Sequence, residues 1–475
     1  MAHPAIIQGG MGVAVSGWRL ARAVAQAGQL GVVSGTALAS VFVRQLQRGD
    51  PEGHLARASA SFPLPAVAAR VWQQYYVPGG KSAEAAFKLV PMPTVNPGAA
   101  YTELTVLANF AEVFLAKENA AGRVGINFLE KIQLPTLPSI YGAMLAGVDY
   151  VLMGAGIPRS IPGVLDRFAR GEPAELKIDV AGAVPGEDCL SKFDPGTLFA
   201  GAAPTLLRPF FLAIISSATL ALTLARKSNG RVDGFIVESS VAGGHNAPPR
   251  GPMQLSVTGE PVYGPRDVPE LAKIRELGLP FWLAGAYARP EKVAEAHRLG
   301  AAGVQIGTAF AFCDESGIAP ALKREVLRLS RAEALQVFTD PLASPTGFPF
   351  KVLQLLGTLS DEVRYVARPR ICDLGYLREA YRKPDGAIGY RCAGEPISDY
   401  LRKGGAIADT VGRKCLCNGL MATAGLGQLR PGGTEDPIVT AGDEVVHLAR
   451  YLPAAGDSYG AAEVIQWLLG TPASA

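Results

Sequence analysis

The sequence predicts an α/β protein: a (β/α)8 TIM barrel with insertions and a C-terminal extension. Three observations predict it. Eight short apolar runs each end in glycine or a small polar residue, amphipathic helical stretches alternate with them, and both features stop near residue 330 of 475. Such alternation specifies a parallel sheet with helices outside, and eight is the number at which that sheet closes into a barrel.

In chain order the strand runs are "AIIQGG", "LGVVSG", "VGINF", "YVLMGAG", "FLAIISS", "GFIVESS", "FWLAGA" and "GVQIGT". Their apolar residues are continuous, as expected of parallel strands buried on both faces. Stretches such as "GWRLARAVAQAG" and "PEKVAEAHRLG" follow them with the spacing of outer helices. Residues 51–101, Pro- and Gly-rich around "YYVPGGK", and 171–208, around "KIDVAGAVPGEDCLSKFDPG", exceed a minimal barrel unit and are read as insertions. The longest apolar stretch, Pro209 to Ala225, contains Ser216, Ser217, Thr219 and Thr223. It is too short for a membrane span and divides into the fifth strand and its helix. The barrel is thus assigned to residues 1–330. Residues 331–475, opening with "FTDPLASPTGFPF" after Val337 and continuing as a polar, cysteine-containing tail, form an extension packed on it.

Apolar residues make up 48% and charged residues 18%, with 55 glycines and 36 prolines, which suits a compact enzyme with many tight turns. A net charge of +3 with no basic stripe argues against a nucleic-acid partner and for a small-molecule substrate. "MAHPAIIQGG" lacks the basic and apolar regions of a signal peptide, and six cysteines do not form a secreted disulfide framework. The expectation is a cytoplasmic protein with reduced thiols. Cys372, Cys392, Cys415 and Cys417 offer one Cys-x-Cys pair and two isolated partners instead of paired Cys-x-x-Cys, so no metal site is assigned.

A barrel of this type carries its chemistry at the carboxyl ends of the strands. There "IIQGGMGVAVSG" fails the dinucleotide fingerprint: the third glycine would fall at Val15, and "LGVVSG" ends without an acid. Its glycines make a tight turn that can lay bare amides against a flat ring. The loops after the seventh and eighth strands, "LAGAYARPEKV" and "VQIGTAF", occupy the phosphate position of many barrels, with Gly285, Gly307 and the Thr308 hydroxyl as its donors. His245 is the one histidine of five that follows a barrel strand, in "VESSVAGGHNAPPRG". Two glycines before it permit a sharp exit, and an imidazole pKa of roughly 6.5 suits proton abstraction from an activated carbon. No strand end carries a lysine, and only Glu238 supplies a carboxylate, which disfavours Schiff-base, magnesium and paired-carboxylate chemistry. Side chains this sparse point to a site where a cofactor performs the difficult step.

Four stretches, "IIQGGMG", "GINF", "VESSVAGGH" and "GAAGVQIGTAF", occur in this order over most of residues 1–330. Together they resemble the nitronate monooxygenase (2-nitropropane dioxygenase-like) family and its relatives, the FMN-dependent enoyl-acyl-carrier-protein reductases. The resemblance implies FMN, its phosphate on Gly285 and the loop of Gln305, Gly307 and Thr308, and its ring over Gly10 and Met11. It also implies that Asn127, Glu238 and Gly243 touch the flavin and that His245 is the base for neutral nitroalkanes. Departures fall at Ser239 and Val241, and at Ala286 after Gly285, on the side that would meet substrate. Two activities follow: oxygen-dependent oxidation of alkyl nitronates, or NAD(P)H-dependent reduction of enoyl thioesters linked to fatty acid or polyketide synthesis. A flavin-free phosphate-binding barrel and a non-catalytic partner of a larger synthase are the readings from other classes. The outer helices and tail leave room for a homodimer.

Overall fold

The structure, a computed structural model, describes residues 3–470 apart from 121, 185, 200 and 455. Its centre is eight parallel strands: β1 Ile6–Gln8, β2 Gly31–Ser34, β3 Val124–Leu129, β4 Tyr150–Gly154, β5 Phe210–Ile215, β6 Gly234–Glu238, β7 Phe281–Ala284 and β8 Gly303–Ile306. They stand side by side in chain order, and β8 pairs with β1. The ring closes where Gln8 N–H donates to Leu30 O (2.9 Å) and Leu30 N–H to Ile6 O (3.1 Å). All eight runs expected from sequence are barrel strands.

The period of two along each strand sorts the side chains. Ile7, Val32, Leu152, Leu212, Ile236 and Trp282 fill the lumen as one cluster, whereas Ile6, Val33, Val151, Phe211, Phe235 and Val304 meet the helices. Trp282 is fully buried, and its indole N–H donates to Pro4 O at 2.8 Å. The same alternation turns Asn127, Glu238 and Gln305 inward at the carboxyl ends, because their neighbours Ile126, Val237 and Val304 face outward. A dry apolar plug therefore underlies a polar upper layer.

The outer helices bury one stripe each. Trp18–Gln26 buries Trp18, Leu20, Ala21, Val24 and Ala25. Ala218–Lys227 starts where Ser217 Oγ accepts Leu220 N–H at 3.1 Å, so the serines and threonines of the long apolar stretch divide strand from helix. Between β2 and β3, helices His54–Ala60 and Pro65–Tyr75 precede an irregular segment and the buried helix Ala99–Lys117. Between β4 and β5, Ala174–Lys177 pairs antiparallel with Leu190–Phe193. Val180–Ala181 joins the hairpin Glu379–Arg382/Ile388–Arg391 of the extension. A second antiparallel pair, Val337–Asp340 with Phe350–Leu353, opens the extension. Its last helix, Ala461–Leu469, returns to pack on Trp18–Gln26. Among the described residues no helix is long and apolar enough to cross a membrane.

Leu212 sits wholly inside the lumen, where neighbours pinned by the ladder cannot collapse into a void. Leu212→Ala is expected to cost about 2–5 kcal/mol, read as a lower urea midpoint with an unchanged slope.

Candidate active site at the barrel mouth

One cavity of about 220 Å³ at the carboxyl ends is lined by Gly10, Met11, Asn127, Glu238, Gly243, His245, Gly285, Gln305, Gly307 and Thr308. Every residue singled out from sequence faces it. A Cβ on Gly10 would overlap the Asn127 carboxamide, so that glycine is what lets the amide group lie beside the turn. Gly285 has φ +92° and its added Cβ would run into Ser239 Oγ. The next residue, Ala286, keeps a left-handed φ of +59° despite its methyl group, a conformation costing about 1–2 kcal/mol outside glycine. Among the described residues, Asn127 Oδ1 and Gln305 Oε1 are buried without a hydrogen-bond partner, as are Ser34 Oγ against Gly12 and Ser239 Oγ against Gly285. Orphaned polar atoms of this kind, beside a floor of glycines, fit a flat ligand with polar edges.

The turn after β1 departs from expectation. Met11 N–H is not bare, since it donates to Ser16 Oγ at 2.9 Å while Ser16 N–H returns to Met11 O at 2.9 Å. Closing the turn on itself consumes that amide. Met11 instead contributes its thioether, which lies against Gly307.

The loop after β6 is held from outside the barrel. Asn246 N–H donates to Pro349 O (2.9 Å) and Lys351 N–H to Gly244 O (3.0 Å), forming an antiparallel bridge between His245 and Phe350. Gly244 N–H donates to Thr440 Oγ1 at 2.9 Å. His245 Nε2 lies 2.7 Å from Ser344 Oγ, itself 2.8 Å from Thr346 Oγ1, and the Phe350 ring stands edge-on at 4.8 Å. Burial pushes the imidazole pKa down to about 4, so the ring is neutral at pH 7. Burial also lifts Glu238, which has no side-chain partner among the described residues, to about 7.

The extension also corrects the expected roles of three residues. Thr308 Oγ1 accepts Gly442 N–H at 2.9 Å, which leaves its own proton as the remaining donor. Gly243 is needed for packing as well as for access, because a Cβ there would meet Gly442 N at 2.8 Å and Ala441 C at 2.9 Å. Glu238 is not the only carboxylate at the mouth: Glu444 lines the cavity too, accepting Ala288 N–H at 3.0 Å. Ser344, Phe350, Thr440 and Glu444 were invisible to motif reading. They come from segments 99 to 196 residues away from their partners, and only the change of pattern at "FTDPLASPTGFPF" marked that region.

The two shifted groups pull pH dependence in opposite directions. His245, with its folded value below the unfolded one, contributes stability above about pH 6.5 that is lost as pH falls towards 4. Glu238, with its folded value above the unfolded one, contributes stability below about pH 4.5 that is lost as pH rises through 7. Chemical denaturation between pH 5 and 7 should show His245→Asn gaining stability at pH 5 relative to the parent. Glu238→Gln should gain at pH 7. Parallel profiles for both variants and the parent would contradict the burial of these groups.

Comparison with known proteins finds one family and several solved structures that resemble the chain. Residues 169–342, which include β5 to β8 and the His245 loop, match the family described as nitronate monooxygenase. FabK from Thermotoga maritima aligns over 99% of this chain and 92% of its own, at 15% identity and a TM-score of 0.47. Nitroalkane oxidase from Streptomyces ansochromogenes aligns over 98% and 95%, at 16% identity and a TM-score of 0.45. The enoyl reductase domain of MlnA from Bacillus amyloliquefaciens aligns over 75% and 64%, at 13% identity and a TM-score of 0.38. No curated protein matches the chain.

Proposed function

Starting from an oxidoreductase barrel whose residues 169–342 match the nitronate monooxygenase family, we propose that this protein binds FMN at the mouth and oxidises alkyl nitronates with O2. His245 is the base that admits neutral nitroalkanes. The observation that carries this reading is a neutral imidazole at the cavity wall, its Nε2 engaged by Ser344 and its Nδ1 without a partner among the described residues.

The residues suit the cofactor. Gly9, Gly10 and Gly12 leave a floor free of side chains, and the orphaned Asn127 Oδ1 and Gln305 Oε1 would accept from the polar edge of a flavin ring. Gly285, Gly307 and the free proton of Thr308 would hold its phosphate. FMN, when bound, supplies the electron transfer and oxygen chemistry that no side chain here offers.

The chain's own work is to move one proton and hold the charge that results. Nδ1 takes the proton on the carbon bearing the nitro group, and the imidazolium forms beside a nitronate anion. A base with a depressed pKa is weak when isolated, so its competence depends on this ion pair in a cavity of low dielectric. For Nδ1 to act as the base the ring proton sits on Nε2, which then donates to Ser344 Oγ at 2.7 Å, and the contact of Ser344 Oγ with Thr346 Oγ1 at 2.8 Å holds that acceptor in place. Glu238, which burial pushes up to about 7, faces the same space.

Anaerobic absorbance of the purified protein tests the reading. A yellow protein bleached by a nitronate alone is the expected result. Bleaching only by NADH or NADPH would replace it with the enoyl-thioester reductase, and failure to contain or bind any flavin would remove the cofactor. His245→Asn should slow turnover of a neutral nitroalkane roughly 10²–10⁴-fold yet leave turnover of the preformed nitronate within about threefold, since that substrate needs no base. Equal losses on both substrates would rule out the assigned role.

A further inference from the structure

Away from the mouth, four of the six cysteines converge on one small cavity in the extension. Cys372 precedes and Cys392 follows the hairpin in which Glu379 pairs with Arg391, so the ladder draws its two flanks together. Cys415 and Cys417 stand at the opening of helix Leu416–Thr423. All four line the cavity, and Pro345, Leu374, Leu377 and Leu416 close its apolar sides. None is in a disulfide.

Hydrogen-bond donors and two guanidinium groups surround the four sulfurs. Gly375 N–H points to the Cys372 sulfur, Tyr376 and Leu377 N–H to Cys417, and Asn418 to Cys415 through both its backbone N–H and its carboxamide at 3.4 Å. Backbone donors of this kind orient metal-bound thiolates and tune them. Arg378 lies near Cys372 and Arg368 near Cys415. Arg368 Nη2 is buried with no hydrogen-bond partner, although its Nε is paired with Glu435. A neutral thiol is a poor partner for a buried guanidinium N–H, whereas a thiolate centre with net negative charge is a good one.

We propose that Cys372, Cys392, Cys415 and Cys417 are the four ligands of one thiophilic metal centre, a zinc ion or an iron–sulfur cluster, that ties the hairpin to the helix. Four S–H groups release their protons to solvent as four metal–sulfur bonds form to a zinc ion or to a preassembled iron–sulfur cluster, with no change of oxidation state in this step. Zinc would draw the sulfurs to about 2.3 Å from a common point. Among the described residues no group of three or more His, Cys, Asp or Glu side chains stands close enough to hold a metal ion as placed, so binding requires the four sulfurs to draw together. The cavity between the thiols is about 10 Å³, room for a single ion as it stands, whereas a cluster would require it to widen. Sequence spacing hid the set because the hairpin and helix, not the local chain, create it.

The test is elemental analysis of the full-length protein purified without oxygen, with native and denaturing intact masses as a second readout that needs no variant. About one zinc per chain, or iron with matching acid-labile sulfide, supports the proposal and identifies which centre is present. Cys392→Ser and Cys417→Ser should each lose at least about three-quarters of that metal, whereas Cys189→Ser, outside the cavity, should retain it. The proposal is overturned if native and denatured masses agree and neither Zn(II) nor Fe(II) with sulfide restores stoichiometric metal. Retention of metal by the Cys392→Ser/Cys417→Ser double variant would overturn it equally.

Discussion

The mouth depends on one backbone pairing, the antiparallel bridge between His245 and Phe350. A loop that leaves a barrel strand through two glycines has little stiffness of its own. Two hydrogen bonds to Pro349 and Lys351, with Thr440 capping Gly244, convert it into an edge of the extension. The imidazole then has one orientation, because Ser344 and the Phe350 ring arrive on the same elements that fix its backbone. Lys351 extends the constraint by pairing with Asp443 at 2.7 Å, beside the Ala441–Gly442 segment that abuts Gly243.

The barrel supplies what that pairing acts on. Alternation along β3, β6 and β8 puts Asn127, Glu238 and Gln305 above the apolar plug of Ile7, Leu212, Ile236 and Trp282. The dryness that opposes charge on His245 also opposes charge on Glu238, so the base and the acid are both driven towards their neutral forms. A cavity of this kind makes any charge created within it seek a partner at once. Proton transfer that yields an ion pair meets that demand, which is how the proposed role of His245 as a base is compatible with a value near 4.

The barrel was legible because its signals are local. Each strand is a short apolar run closed by glycine or a small polar residue; Glu238 and Gly307 lie just past the apolar residues of such a run, and Asn127 and Gln305 interrupt one. The turn at Met11 was only half legible: its glycines announce a close approach, but nothing in "GGMG" shows that Ser16 takes the amide. The extension was opaque for the opposite reason. Ser344 meets His245 across 99 residues and Thr440 meets Gly244 across 196, in pairs that have no period and no motif.

This division of labour bears on what short motifs can specify. Glycines and phosphate-end donors belong to the barrel, where strand ends position them whatever covers the mouth. The partners of the base, and the walls contributed by Leu420, Thr423 and Phe350, belong to the extension. Leu420 and Thr423 lie on the same helix that begins at Cys415–Cys417, and Pro345, beside the Ser344 that holds His245, lines the cysteine cavity. The same segments therefore line both the cysteine cavity and the wall of the mouth. On the proposed reading, the glycines of the barrel would serve the cofactor, and the bracing of these segments would shape the space left for the substrate.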